Sequence, residues 1–138
     1  MITRGTTPYH SFLLPLKAEE IGAIYVTYYQ NGEILFERSG DAEDENFSIV
    51  NVEDLYENAS VEPLTEEELN SCQLSLHLTQ EETLKFKFYP AAEKNIAVIQ
   101  IRLLTTDGEA YASDPIKERI FGVLKDGVIG NEHNQQSE

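Results

Sequence analysis

The sequence predicts a mostly β domain, an antiparallel β-sandwich of the immunoglobulin-like (Ig-like) type with about seven strands. Three observations lead to this prediction. Short apolar runs recur along the chain, tight-turn dipeptides separate several of them, and no regular alternation with helices is visible. With 138 residues the chain has room for one domain. We expect that domain to span residues 1–129, followed by a disordered polar tail over residues 130–138.

Three predicted strands fill the first part of the chain, and each is a short apolar run with β-branched or aromatic residues. They cover residues 9–16, 21–30 and 33–39. Asn31-Gly32 joins the last two. A two-residue type I′ turn needs positive φ at both positions, and Asn and Gly tolerate it best. A tight hairpin is therefore predicted here.

The Asn-Gly turn also fixes which hairpin residues face each other. The predicted pairs are Gln30 with Glu33, Tyr29 with Ile34 and Thr27 with Phe36. One face then carries Tyr25, Tyr29, Ile34 and Phe36, and the other carries Ile24, Val26, Tyr28 and Leu35. Because both faces are apolar, something must cover the second one. The candidates are the acidic segment described next, a partner chain, or tyrosine rings lying along the surface; cover from within the chain is favoured.

Most of the negative charge is concentrated in one segment. The whole chain has a net charge of -15, and residues 40–70 contain eleven acidic residues and no Lys, Arg or His. We interpret residues 40–71 as an acidic insertion with an apolar patch from Phe47 to Val52. A short helix is predicted over residues 65–71, because Thr65 and Glu68 have the spacing of a capping box.

The second part of the chain continues the β pattern. Strands are predicted over residues 72–78, 84–88, 95–105 and 109–113, with a second capping box and one helical turn at residues 79–82. Asp107-Gly108 predicts another tight hairpin. Residues 116–124 are ambiguous, because Asp114-Pro115 suits a helix start whereas the composition favours a final strand. We favour the strand.

The composition disfavours several classes of partner. A net charge of -15 argues against nucleic acids and anionic membranes as partners. No apolar run reaches the length of a membrane span. The first residues carry no apolar block typical of a secretory signal, so synthesis and residence in the cytoplasm are expected.

Catalytic and metal sites are not expected either. The three histidines, at positions 10, 77 and 133, and the single Cys72 do not have metal-ligand spacing. On a strand, Cys72 and His77 would point to opposite faces, so they cannot form a nucleophile–base pair. The acidic run at residues 41–45 offers oxygen ligands for calcium but lacks the EF-hand order. We therefore expect neither an enzyme nor a cofactor, and the absence of tryptophan disfavours a carbohydrate-binding module.

Several segments together resemble a known group of proteins. They are Arg4-Gly5-Thr6-Thr7-Pro8, Leu14-Pro15, residues 78–86, Ile99-Gln100-Ile101-Arg102, Thr106-Asp107-Gly108, Ala112-Ser113-Asp114 and residues 124–128. In these segments the chain resembles small uncharacterised proteins encoded among the structural genes of prophages in Gram-positive gut bacteria. The resemblance covers both ends and the middle of the chain but not residues 40–70. It implies a place in the virion or in virion assembly, and it implies no catalytic residues.

The leading functional hypothesis is a non-enzymatic phage or prophage structural or virion-assembly protein. It would act by protein–protein contacts with copies of itself, as a homo-oligomer, or with other virion proteins, in the cytoplasm of the host bacterium or in the virion. The alternative is an acidic adaptor or inhibitor that docks onto a basic host protein. The candidate partner surface consists of Tyr25, Tyr29, Ile34, Phe36, Glu66, Glu67 and Glu68.

Overall fold

The computed structural model describes residues 1–41, 43–55 and 64–130. These residues form two β-sheets that share one hydrophobic core. The strands are β1 (Ile2–Thr3), β2 (Tyr9–Leu14), β3 (Ile21–Gln30), β4 (Glu33–Gly40), β5 (Phe47–Asn51), β6 (Cys72–His77), β7 (Ile96–Thr105), β8 (Ala110–Ala112) and β9 (Ile116–Phe121). The helices are α1 (Val52–Leu55), α2 (Glu66–Leu69) and α3 (Gln80–Thr83). None of the helices in these residues is long and apolar enough to cross a bilayer.

The main sheet has six strands and is mixed. Its order is β1-β9-β7-β3-β4, and β8 pairs with β7. All pairs are antiparallel except β1 with β9, where Ile2 lies opposite Ile120 in a parallel arrangement. The mostly β prediction is confirmed, but a wholly antiparallel sandwich is wrong for this sheet. Two residues are too few for a recognisable run, so β1 could not be seen in the sequence.

β8 and β9 lie along the same edge of β7. Ala112 of β8 pairs with Arg102, and Ile116 of β9 pairs with Ile99. Between β8 and β9 a side chain takes part in the bonding to β7: the Ile101 N–H donates to the Ser113 hydroxyl at 3.0 Å. Pro115 has no N–H to offer in this stretch. The prediction of a strand over residues 116–124 is confirmed as far as Phe121, and the helix alternative is wrong.

The second sheet has three antiparallel strands in the order β2-β6-β5. β5 comes from the acidic segment, and its Phe47 is buried in the common core. The inner face of β3, with Ile24, Val26 and Tyr28, is fully buried in that core. The other face of the hairpin, with Tyr25, Tyr29 and Ile34, lies outside the core, and Ile34 is 64% exposed, so the described residues do not supply the cover that was favoured for it.

The β3–β4 hairpin contains a bulge that changes its predicted register. Asn31 and Gly32 both have positive φ, 47° and 83°, as the predicted turn requires. Tyr29 lies opposite Ile34 as predicted, but the register then shifts and Tyr28 lies opposite Phe36. The predicted pairing of Thr27 with Phe36 is wrong, because one extra residue is inserted in β4.

The bulge moves Phe36 to the inner face of the main sheet. Its ring stacks on Tyr28 with centroids 4.5 Å apart, and Phe86 meets both rings edge-on at 5.7 and 6.0 Å. Phe86 is not on a strand, so the strand predicted over residues 84–88 is wrong. Backbone bonds from Lys85 to Glu82 and from Phe86 to Thr83 continue the turn of α3 instead. Phe88, which would share the inward side with Phe86 on such a strand, is exposed.

Both predicted capping boxes are present. The Thr65 hydroxyl accepts a hydrogen bond from the Glu68 N–H, and the Glu68 carboxylate accepts one from the Thr65 N–H. Thr79 and Glu82 form the same reciprocal pair at the start of α3. The tail predicted to be disordered lies outside the described residues, except for Gly130.

The Glu82 carboxylate also links α3 to β4. It accepts hydrogen bonds from Arg38 Nε at 2.6 Å and from Arg38 Nη2 at 2.7 Å, and Nη2 donates to the His77 carbonyl at 2.8 Å. Burial alone would raise the pKa of Glu82, but the hydrogen bonds and charge of Arg38, together with Thr79, lower it below its ordinary value. A carboxyl with a lowered folded-state pKa adds stability above its unfolded pKa and loses that contribution as pH falls through the folded value.

We expect Glu82→Gln to reduce the free energy of unfolding at pH 7 by about 1–3 kcal/mol, because a charge-assisted pair becomes a neutral one. The difference from the wild type should shrink as the pH falls below 4.5, the ordinary value for this group. Urea unfolding at a series of pH values measures both effects. The exposed neighbour Glu81, changed to Gln, is the control. An unchanged difference between pH 7 and pH 3 would contradict the linkage.

His10 and Tyr28 form a second buried polar link, this time between the two sheets. His10 Nδ1 lies 2.8 Å from the Tyr28 hydroxyl, and His10 is 8% exposed. Burial lowers the pKa of His10, and the nearby Glu118 only partly opposes this. The unfolded chain therefore takes up a proton at a higher pH than the folded protein does, so stability should fall as pH drops below 6.5.

His10→Gln should flatten this pH dependence between about pH 7 and pH 5, because the amide can keep the bond to Tyr28 without titrating. His77 and His133 are present in both proteins, so the difference between the two unfolding curves isolates His10. The measurement is the urea midpoint at each pH. Equal slopes for the variant and the wild type would show that His10 does not carry the effect.

Candidate functional site

The two sheets differ in width, and a cleft lies where the main sheet extends beyond the second one. The cleft has a volume of about 810 Å³ and lies between β2 on one side and β7, β8 and the start of β9 on the other. Its apolar lining comes from Phe12, Leu13, Leu14, Pro15, Leu16, Ile101, Leu103, Tyr111, Ala112 and Ile116. A cavity of this size, apolar and open to solvent, is typical of a binding site.

Strand alternation places the apolar side chains in the cleft. Phe12 and Leu14 point inward on β2, and Ile101 and Leu103 form the floor on β7. Tyr111 lies opposite Leu103 in the β7–β8 pair, so its ring is on the same side of the sheet, at the margin of the cleft. The first strand, predicted over residues 9–16, ends at Leu14.

One side of the cleft is a free strand edge of β2. Within the described residues β2 pairs with β6 alone. The Leu78 N–H donates to the Pro8 carbonyl at 3.0 Å, which fixes the phase of the antiparallel ladder. Because hydrogen-bonded and non-bonded pairs alternate, the N–H and C=O groups of Ser11 and Leu13 point away from β6. These groups are available to a partner.

The other side of the cleft is a free edge of β8. Two backbone hydrogen bonds of 2.8 Å fix the phase of this ladder: the Thr105 N–H donates to the Glu109 carbonyl, and the Ser113 N–H donates to the Ile101 carbonyl. Alternation then directs the backbone groups of Ala110 and Ala112 away from β7. The cleft is thus bounded by two strand edges for which the described residues supply no partner strand.

Carboxylates cluster at one end of the cleft. Glu20, Asp107 and Glu109 all line it, and its described lining residues include no Lys, Arg or His. The Tyr111 hydroxyl donates a hydrogen bond to Glu109 at 2.7 Å, and this bond raises the pKa of Tyr111. The electrostatic potential at this end favours a cationic group on whatever binds.

A second, shallower depression adjoins the first. It has a volume of about 630 Å³ and shares Leu13 and Pro15 with the cleft. Its remaining lining comes from α2 and the residues after it, Glu66, Glu67, Glu68, Asn70 and Ser71. The acidic helix therefore lies beside the cleft, which extends the negative margin.

The structure does not bring the predicted partner-surface residues together. Tyr25, Tyr29 and Ile34 lie on the outer face of the main sheet, and Phe36 is buried on the inner face because of the β4 bulge. The carboxylates at positions 66–68 are on α2, which leads into β6 of the other sheet. The predicted surface thus consists of an outer-face group and a separate acidic group.

The centre of the outer face is a satisfied polar network. The Arg102 guanidinium lies 5.2 Å from the ring centroid of Tyr25 and bonds to Glu37 at 3.0 Å. Thr27 donates to the same carboxylate at 2.8 Å. Exposed apolar area on this hairpin is confined to its turn end, where Ile34 is 64% exposed. The cleft is therefore the more distinctive surface.

The groups that could carry chemistry are engaged elsewhere. His77 stacks on Tyr9 with ring centroids 3.9 Å apart, and burial raises the pKa of Cys72 to about 11. Asp41 and Asp44, in the run weighed as a calcium site, accept hydrogen bonds from backbone N–H groups two residues further on. Over residues 1–41, 43–55 and 64–130, no three His, Cys, Asp or Glu side chains cluster as metal ligands do. His133 lies outside these ranges.

The sequence contained only a weak signal for the cleft. It showed inward apolar residues on β2 and β7, but the relative width of two sheets is a tertiary property. Leu13 and Tyr111, at its margins, are large exposed hydrophobic residues and look like ordinary surface positions in a sequence. No protein-family model matches this chain, and no curated protein is significantly similar to it.

We expect the amides of Ser11 and Leu13 to exchange with solvent about 100-fold faster than those of Phe12 and Leu14 in the free protein. Amides bonded across a buried ladder open only with local unfolding, whereas amides on a free edge are already exposed. Hydrogen exchange followed residue by residue by NMR measures the pattern. Similar protection at all four positions would show that the β2 edge is covered in solution.

Proposed function

We propose that this chain is a non-enzymatic protein that works by binding other proteins, and that the cleft is its contact site. The observation that carries the proposal is the combination of an apolar floor with two unpaired strand edges. Free N–H and C=O groups beside an apolar groove are what an extended polypeptide can satisfy.

The composition of the cleft supports binding over catalysis. Its described lining residues include no histidine, lysine, arginine or cysteine. The Ser11 and Ser113 hydroxyls there therefore have no histidine or lysine in the lining to activate them as nucleophiles. Ser11 instead contacts the Ser75 hydroxyl at 2.9 Å. We propose that no enzyme activity and no cofactor belong to this site.

The biological setting we propose is that of a phage or prophage structural or virion-assembly protein. Support comes from the resemblance of segments such as residues 78–86 to prophage-encoded proteins. The proposal takes the two sheets as an Ig-like sandwich to which β1 adds a parallel edge. Its partners would be other virion proteins or copies of the same chain, in the host bacterial cytoplasm and in the assembled virion.

A second candidate function is an acidic adaptor or inhibitor that docks onto a basic host protein. The observation in its favour is the position of Glu66, Glu67 and Glu68 on α2, beside the cleft. A partner held mainly by these charges would dissociate readily at high salt. Changing all three to Gln would abolish such docking but would leave assembly through the apolar cleft largely intact.

We expect Leu13→Asp to lower the copy number of the protein in purified phage particles by about tenfold, which corresponds to about 1.4 kcal/mol of lost contact energy. Leu13 is 68% exposed, so the variant should fold, but a carboxylate at the cleft margin is costly to desolvate in a complex. The measurement is quantitative mass spectrometry of particles induced from the strain that encodes the chain.

Leu124→Asp is the matched control, because Leu124 is fully exposed and does not line the cleft. It should be incorporated like the wild type. If the wild-type protein is present in the cell lysate but missing from the particles, the virion setting is wrong. Equal incorporation of both variants would show that the cleft is not the contact site.

A further inference from the structure

We propose that the cleft receives an extended segment of a different protein, which pairs with the free edge of β2 as a fourth strand of the second sheet. The inference rests on the proposed protein-binding function and adds the form and chemistry of the partner. Four features of the site support it: the position of the cleft, the backbone groups of β2, the alternation of side chains and the distribution of charge.

The cleft lies where the next strand of the second sheet would lie. Within the described residues that sheet has three strands, whereas the main sheet beneath it has six. Neighbouring strands lie about 4.8 Å apart, so a strand added beside β2 would be above the inner side of β8 and the start of β9. Leu103, Tyr111 and Ile116 line that position. An added strand would thus complete the cover of the main sheet.

The backbone of β2 sets the length of the pairing. Along the cleft, Ser11 and Leu13 each direct one N–H and one C=O to the free edge, which gives an added strand four hydrogen bonds; Tyr9 has the same phase but does not line the cleft. Pro15 follows β2 at a position whose nitrogen would face the same edge, and it cannot donate. The paired part of the partner is therefore about five or six residues long.

The two faces of the added strand have different requirements. Side chains at alternate positions would enter the cleft between Leu14 and Leu103, and these must be apolar because the floor offers no polar group to bind. The side chains between them would face solvent beside Leu13, which is largely exposed. The expected pattern has a period of two, with β-branched residues favoured at the inward positions.

Charge defines one end of the partner and disfavours a second copy of this chain. Glu20, Asp107 and Glu109 line the cleft at the end where β2 runs into Leu16. A Lys or Arg of the partner at this end would be attracted, and in an antiparallel pairing it precedes the apolar positions. Two copies of a chain with net charge -15 would instead repel each other at this margin.

The test begins with a random library of 12-residue peptides displayed on ribosomes and selected against the full chain. Selected peptides should show alternating apolar residues preceded by Lys or Arg. Leu13→Pro removes the edge N–H without removing a bond to β6, and it should weaken peptide binding by about tenfold or more. Leu13→Ala keeps the N–H and is the matched control, with an expected loss of about twofold.

A second measurement does not depend on how well Leu13→Pro folds. Peptides N-methylated at a residue that pairs with β2 should bind the unaltered protein at least about tenfold more weakly than those methylated at the neighbouring residue. In the complex with the unmodified peptide, exchange of the Ser11 and Leu13 amides should slow by a similar factor.

The outcomes separate this inference from the proposed function. Peptides that lose binding in Leu13→Asp but are insensitive to N-methylation and to Leu13→Pro would overturn strand pairing and leave a protein-binding cleft. If the library yields no peptide whose binding depends on Leu13, both proposals fail. Selected peptides that lack the basic residue, or that bind equally to Asp107→Asn/Glu109→Gln, would overturn the charge assignment.

Discussion

The way the two sheets pack on each other depends on the burial of one tyrosine side chain, Tyr28. Its ring packs against both Phe36 and Phe86, and its hydroxyl is bonded to His10 on the opposite sheet. A buried hydroxyl without a partner is costly, so the sheets can close over Tyr28 only in the arrangement that brings His10 to it. The position of β2, which carries His10, follows from this bond, and the cleft lies along the free edge of β2.

The bulge in β4 is part of the same arrangement. Without the extra residue, Phe36 would point to solvent and Tyr28 would lose its stacking partner. Arg38, two residues further along β4, also reaches Glu82 from the inner side of this hairpin. The bulge therefore allows both the aromatic packing of Phe36 and the Arg38–Glu82 ion pair. The hairpin turn alone does not specify this bulge.

Local sequence patterns predicted the features that depend on a few neighbouring residues. The Asn31-Gly32 turn and the two capping boxes are set by φ preferences and by side chains three residues apart. Features set by distant contacts were missed or wrong. β1 forms only because Ile2 pairs with Ile120. The alternating apolar residues around Phe86 indicated a strand, but they lie in a turn that packs on Tyr28. The cleft depends on the widths of both sheets, which no single segment encodes.

The parallel pairing of β1 with β9 also bears on how the protein is made. Ile2 is fully buried against a strand that is synthesised more than a hundred residues later. During translation the Ile2 side chain lacks this partner until β9 has left the ribosome, and pairings of such long sequence separation form slowly. Pairing of β1 with β9 is therefore a late event in the folding of the main sheet.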